Sequence, residues 1–388
     1  MKQKIQICVL FLCLAIFCGG CQETPKEVQQ RMENYGENKQ IDAGEISYCT
    51  VEELRKTTRS DINVELDNMT LPAKLDFSEL EGIARLELSF EEKDLENREN
   101  ILDLFRIDEK SLQSDENTKI GRQVVYDSAT DKKYLAMVEN GFVSYVSGVT
   151  YDYINDKVKH KGILEKYDLD LDDISKERVG FQDGEAGIAE VRDLAEDWLE
   201  KHMPIAQCNY IVSDAYVREL ETSEGSRKQL SFYVEVSYQG VRFNSYASWM
   251  AEVGSQMELA TYGIQLNYDN RDQMSFFSNS VGRLKIDSSE KVSEIVDLES
   301  AIRLVNREVS GFHQLKIDKV LPLYALYPKY NTEKELISFP GQKVEGRPVY
   351  AFIIIDGEEN AEFGINKENA CKVIFVDMVT GEVWTNIG

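Results

Sequence analysis

The segment Leu230-Ser231-Phe232-Tyr233-Val234-Glu235-Val236-Ser237-Tyr238 carries the plainest structural signal in the chain. Leu230, Phe232, Val234, Val236 and Tyr238 alternate with Ser231, Tyr233, Glu235 and Ser237. Successive side chains of a strand point to opposite faces, so this period of two predicts a strand with one face in a core. Gly240 ends it. Upstream, Ile188, Val191, Leu194, Ala195, Trp198 and Leu199 recur at helical spacing. They predict a helix from about Glu185 to His202, closed by Pro204. Further strands are expected at Tyr210 to Leu220 and Tyr262 to Tyr268.

The last hundred residues follow the same order. Asp297 is a natural N-cap, and Leu298, Ala301, Ile302, Val305 and Val309 form the stripe of a second helix. Strands are expected at Leu315 to Tyr327, Val349 to Ile355 and Lys372 to Met378, before the turn Val379-Thr380-Gly381-Glu382. Residues 181–285 and 286–388 therefore read as a tandem duplication. Residues 72–180 read as a small antiparallel α+β domain. Leu86, Leu88 and Phe90 alternate with polar residues, Leu95 to Phe105 reads as a short helix, and three strands follow. Asn140-Gly141 is a two-residue hairpin signal, because its turn needs positive φ at both positions. The expected fold class is α+β: an antiparallel meander domain, then two tandem helix-plus-sheet modules.

The N-terminus gives the address. Lys2 and Lys4 precede an apolar run, Ile5 to Phe17, and then Cys18-Gly19-Gly20-Cys21: basic, apolar and small-residue regions in the order of a secretory signal. The run is too short to span a bilayer, which takes about 20 residues. Gly19-Gly20-Cys21 resembles the lipobox of bacterial lipoproteins. That resemblance implies removal of residues 1–20, a diacylglycerol on the Cys21 thiol and anchoring on the extracytoplasmic face of the cell membrane. Residues 21–71, polar and without a sustained period, read as the lipidated cysteine and its tether.

A second resemblance rests on Val373-Ile374-Phe375-Val376-Asp377-Met378-Val379-Thr380-Gly381-Glu382-Val383, which is similar to the closing strand and turn of PepSY-type modules. With the preceding helix and Arg347-Pro348-Val349-Tyr350 it covers about Ser288 to Gly388, and more weakly Asp183 to Lys285. The whole plan resembles lipoproteins of gut Firmicutes and, in outline, the accessory proteins of wall-sensing histidine kinases of the YycH and YycI type. The resemblance implies a non-catalytic extracytoplasmic binding or regulatory role for a protein, peptide or envelope component. It transfers no active-site residue. The alternative is a lipoprotein that captures a solute or glycan for a transporter.

Composition and chemistry agree with a non-enzyme. The 44 basic residues face 69 acidic ones, a formal charge of −25. Such a surface repels phosphate backbones and argues against nucleic acid as a partner. His160, His202 and His313 stand apart, with no second His or Cys at ligand spacing, so no metal and no cofactor is signalled. Cys49, Cys208 and Cys371 are widely separated free thiols, with a Cys208–Cys371 bridge left open. Asp168-Leu169-Asp170-Leu171-Asp172-Asp173 imitates a calcium loop but has Asp173 where Gly is needed and Val179 where the bidentate Glu belongs. It reads as an exposed acidic turn. For binding, the rings of Tyr233, Tyr238 and Trp249 in one repeat and Tyr324 and Tyr327 in the other are the expected contacts, because aromatic residues contribute large area with few rotors.

Overall fold

Residues 225–238 form one of the two longest strands among the described residues, and the rest of the sheet is assembled on both of its edges. The computed structural model of the protein describes residues 46–66, 69–90, 98–115, 123–138, 143–155, 157–170, 172–245, 249–252, 255–258, 263–279, 284–309, 315–328, 343–355 and 371–385. The signal segment, Cys21 and Asn140-Gly141 lie outside them.

One mixed sheet of 16 strands organises these residues. In chain order its strands are β1 (Ala84–Phe90), β2 (Gln113–Asp115), β3 (Gln123–Ser128), β4 (Lys133–Val138), β5 (Val143–Ser147), β6 (Lys159–Asp168), β7 (Asn209–Thr222) and β8 (Gly225–Tyr238). There follow β9 (Val241–Phe243), β10 (Ile264–Tyr268), β11 (Met274–Asn279), β12 (Leu284–Lys291), β13 (Lys319–Pro328), β14 (Lys343–Ile355), β15 (Cys371–Asp377) and β16 (Val383–Thr385). The helices are α1 (Val51–Lys56), α2 (Arg98–Phe105), α3 (Gly148–Ile154), α4 (Ile188–His202) and α5 (Leu298–Glu308).

The sheet has two wings. The long wing runs β2-β3-β4-β5-β11-β10-β8, with β7 and β6 beyond β8; the short wing holds β12-β1-β14-β13, with β15 and β16 continuing from β14. Strand β9 joins them, antiparallel to β8 at Ser237↔Arg242 and parallel to β13 at Arg242↔Leu323 and Phe243↔Tyr324. The reversal before β9 needs Gly240, whose φ is +76° and where a Cβ would collide with the Glu79 carbonyl.

Alternation decides which face is covered. Leu230, Phe232, Val234 and Val236 are fully buried and share one large core with Val191, Ala195 and Leu199 of α4. In the short wing, Tyr350, Phe352, Ile374 and Val376 meet Leu298, Ala301, Ile302 and Val305 of α5 in the same core. Each such side chain contributes about 1.5–3 kcal/mol on burial. Asp297 caps α5 as expected, its Oδ1 accepting the Ser300 amide at 2.6 Å.

The expected fold class is overturned. The molecule is mostly β, and the strands of both repeats lie in one sheet rather than in an α+β tandem of PepSY-like modules after a separate meander. Strand β1, from the N-terminal region, is inserted between β12 and β14, with Leu86 opposite both Ser289 and Gly346. Two small sheets would expose rows of unpaired amides and carbonyls at their edges; merging them pairs those groups. The tether also ends earlier than its polarity implied. Tyr48–Cys49 pairs with Ile295–Val296, Thr50 and Glu53 form a reciprocal cap on α1, and Leu54 is fully buried. Among the described residues no helix is long and apolar enough to cross a membrane.

Candidate functional site: the charged seam between the wings

On the face of the sheet away from α4 and α5 the two wings differ in chemistry. Leu323, Ala325, Tyr327, Ala351, Ile353, Val373, Phe375 and Trp384 form a separate buried apolar cluster in the short wing. In the long wing the corresponding positions are polar and nevertheless buried: Asp214 and Arg218 of β7, Gln229, Ser231 and Glu235 of β8, and Asn267 of β10. Gln229 Nε2 donates to Thr150 Oγ1 at 2.9 Å and to Asp269 Oδ1 at 2.7 Å, which ties this face to α3. Burying such groups is costly unless they are bonded, so a polar layer in mid-sheet is a departure from the usual core.

Where the polar and apolar surfaces meet, six ionisable groups from five parts of the chain converge. Arg242 of β9 makes a bidentate pair with Asp170, just after β6, and its Nη1 donates to Glu235 Oε2 at 2.9 Å. Ser245 Oγ donates to the other Glu235 oxygen at 2.5 Å. Lys319, the first residue of β13, reaches Asp168 Oδ2 at 2.5 Å and Asp170 Oδ2 at 3.3 Å. The sixth group is Asp214, opposite Asp168 in the β6–β7 ladder. The side chains are 1–19% exposed in every pair of this network.

The environment sets the charges. Burial opposes ionisation of Asp170, but the Arg242 and Lys319 charges outweigh it and hold the carboxyl below the usual aspartate range. Asp168 goes the other way: burial raises it, Asp214 and Asp170 add to the rise, and Lys319 offsets only part. Burial would discharge Lys319, yet Asp170, Asp214 and Asp168 keep its ammonium above the ordinary lysine value. Arg242 stays charged against burial because Glu235 and Asp170 flank it.

The turn holding these aspartates is built locally. Asp172 Oδ2 accepts the Asp168 amide at 2.7 Å, and Asp168 Oδ1 accepts the Asp170 amide at 3.2 Å. Asp168 and Asp170 are therefore not an exposed acidic turn; their carboxylates point into the seam. The reading failed because their partners lie 149 and 72 positions away, at Lys319 and Arg242. No local pattern marks those two, nor Glu235, whose place in an alternating strand reads as solvent-facing. Among the described residues no group of three or more His, Cys, Asp or Glu is arranged to hold a metal.

The aromatic residues expected to bind a partner do not share a surface. Tyr238 and Tyr324 lie on the helix side, buried, with ring centroids 6.4 Å apart, and Tyr238 Oη donates to Ser289 Oγ. Tyr327 lies on the opposite face, buried against Trp384 at 5.5 Å with the Arg347 guanidinium 4.0 Å over its ring. Tyr233 is half-buried on the polar face with its hydroxyl against Gly263. Trp249 sits in the hairpin of residues 249–252 and 255–258, and its side chain lies outside the described residues. Buried rings offer no open face, so Tyr238, Tyr324 and Tyr327 serve as core in this structure. Cys208 is a free thiol and so is Cys49; no bridge to Cys371 forms through Cys208.

Comparison with protein-family models gives no match, and comparison with curated proteins gives none. Among solved structures the chain is similar to an uncharacterized protein from Eubacterium rectale ATCC 33656, with a TM-score of 0.52 at 10% identity. The match covers 86% of this chain and 97% of that one. At that identity the likeness is one of fold.

Proposed function

We propose that the protein is an extracytoplasmic lipoprotein, held to the membrane by a diacylglycerol on Cys21, whose folded part is a non-catalytic binding or regulatory module for a protein, peptide or envelope component. The observation that carries this reading is the order of Lys2 to Cys21: basic start, short apolar run, then Gly19-Gly20-Cys21. The ionic groups of the seam support the non-catalytic part. Arg242 and Lys319 are each neutralised by two carboxylates, which leaves them committed to the fold rather than presented to a substrate. The acidic surface favours a cationic or neutral partner.

A second reading is capture of a solute or glycan for a transporter. Crosslinking in intact cells separates the two. Recovery of a sensor kinase, protease or wall-synthesis protein with wild type but not with Cys21→Ala supports the regulatory module. Recovery of transporter subunits, or of bound glycan alone, moves the assignment to solute capture.

A further inference from the structure

One position of the α4 stripe is left outside the core. Ile188, Val191, Ala195 and Leu199 are buried, but Leu194 is 44% exposed, one of three large apolar side chains in the open among the described residues. Trp198 and His202 follow Leu194 at successive turns, so the three form one row along the helix. Trp198 is half-buried: its ring centroid lies 5.2 Å from that of Phe277 in β11 and 6.3 Å from that of Phe105 in α2, which fixes its inner side. The exposed His202 ring is 5.4 Å from it. The flanks are charged, with a negative excess. Besides the row, α4 carries Glu190, Asp193, Glu196, Asp197 and Glu200 against Arg192 and Lys201. Arg192 is held by Asp193 at 2.7 Å, and Glu196 is half-buried. The neighbouring α2 brings Glu99 and Asp103, with Arg106 just beyond its end, and Lys133 of β4 donates to the Phe105 carbonyl at 3.0 Å. Five carboxylates from α4 and two from α2 therefore stand against four cations.

We propose that the row Leu194, Trp198 and His202 docks a basic amphipathic helix of the protein or peptide partner, an inference that rests on the binding-module reading. The apolar face of such a helix covers Leu194 and the open side of Trp198, and its lysines and arginines face Glu190, Asp197 and Glu200. A ring already fixed from within suits this use, because little rotamer freedom is lost when its outer side is covered. The charge sorts partners: an acidic helix with the same apolar pattern meets repulsion from the same carboxylates.

The test is fluorescence anisotropy at about 0.15 M salt, with the mature chain made soluble by Cys21→Ala. The probe is a fluorescein-labelled peptide of leucine and lysine, longer than about 15 residues and with its leucines at helical spacing. The same residues shuffled measure attraction to the acidic surface alone. The protein is expected to prefer the helical pattern. Leu194→Ser, a change at an exposed position that leaves the net charge as it was, is expected to bind that peptide about fivefold more weakly and the shuffled one unchanged. No preference for the helical pattern overturns the proposal without any variant, and so does equal affinity with and without Leu194→Ser. Crosslinking in intact cells separates this failure from failure of the module reading. Reduced recovery of a protein partner by Leu194→Ser supports both; equal recovery overturns the docking row alone; no protein partner with either chain overturns the module and the row with it.

Discussion

Replacing Arg242 by Met removes the cation that holds β6, β8 and β9 together while keeping most of its apolar stem. Glu235 has a side chain only 1% exposed and is ion-paired to Arg242. After the substitution it retains the Ser245 hydroxyl and loses the Arg242 charge. Asp170 fares better, because Lys319 remains at 3.3 Å. Breaking one side of a buried pair typically costs about 3–5 kcal/mol, since the remaining charge stays desolvated. With Asp170 still paired, the lower end applies, and we expect a loss of about 3 kcal/mol. That is a large part of the ~5–15 kcal/mol by which proteins are usually stable. Urea unfolding near pH 7.5 measures it as a shift of midpoint at unchanged slope. Glu235→Gln in the same background should recover about 1–2 kcal/mol, because it removes the stranded charge. A loss below about 1 kcal/mol in Arg242→Met, with no recovery in the double variant, would refute the claim that the seam is a desolvated ionic joint.

Three further perturbations address separate parts of the fold. Gly240→Ala should destabilise more than Gly225→Ala: both glycines have positive φ, but only at Gly240 would a Cβ meet backbone, and similar losses of thermal midpoint would remove that distinction. Tyr327→Phe should be neutral or stabilise by up to about 1 kcal/mol, because the buried hydroxyl makes no hydrogen bond; a loss above that in urea unfolding would show it bonded. Burial pushes the Cys208 thiol up to about 12, and burial with Asp297 and Glu53 pushes Cys49 up to about 11. Thiolate is then scarce at pH 8, and site-resolved alkylation should be far slower in the native protein than in urea; equal rates would contradict the placement of these side chains.

What the sequence made legible was local. The alternation of Leu230 to Tyr238, the Asp297 cap and the Gly240 turn all reflect chemistry within about four residues and fall where their patterns placed them, and the stripe of α4 does so except at Leu194, which is exposed. The Ser237↔Arg242 pairing is short-range too. What failed was the arrangement of the units. Nothing in residues 84–90 says that their edge will pair with Gly346 and Ser289, because an edge strand advertises only that it needs a partner. The same limit hid the seam: Asp168 and Asp170 look like a solvated turn until Arg242 and Lys319 are brought beside them. The tyrosines misled for another reason. A ring adds binding area and core volume equally well, and alternation alone does not tell which neighbour will cover it.

The reading of this chain as a membrane-tethered module rests first on Cys21, and metabolic labelling with an alkyne palmitate analogue tests it most directly. Cells producing wild type should yield labelled protein in the membrane fraction, and cells producing Cys21→Ala should yield unlabelled protein. Wild type without label, or Cys21→Ala labelled and still in the membrane, would contradict the assignment.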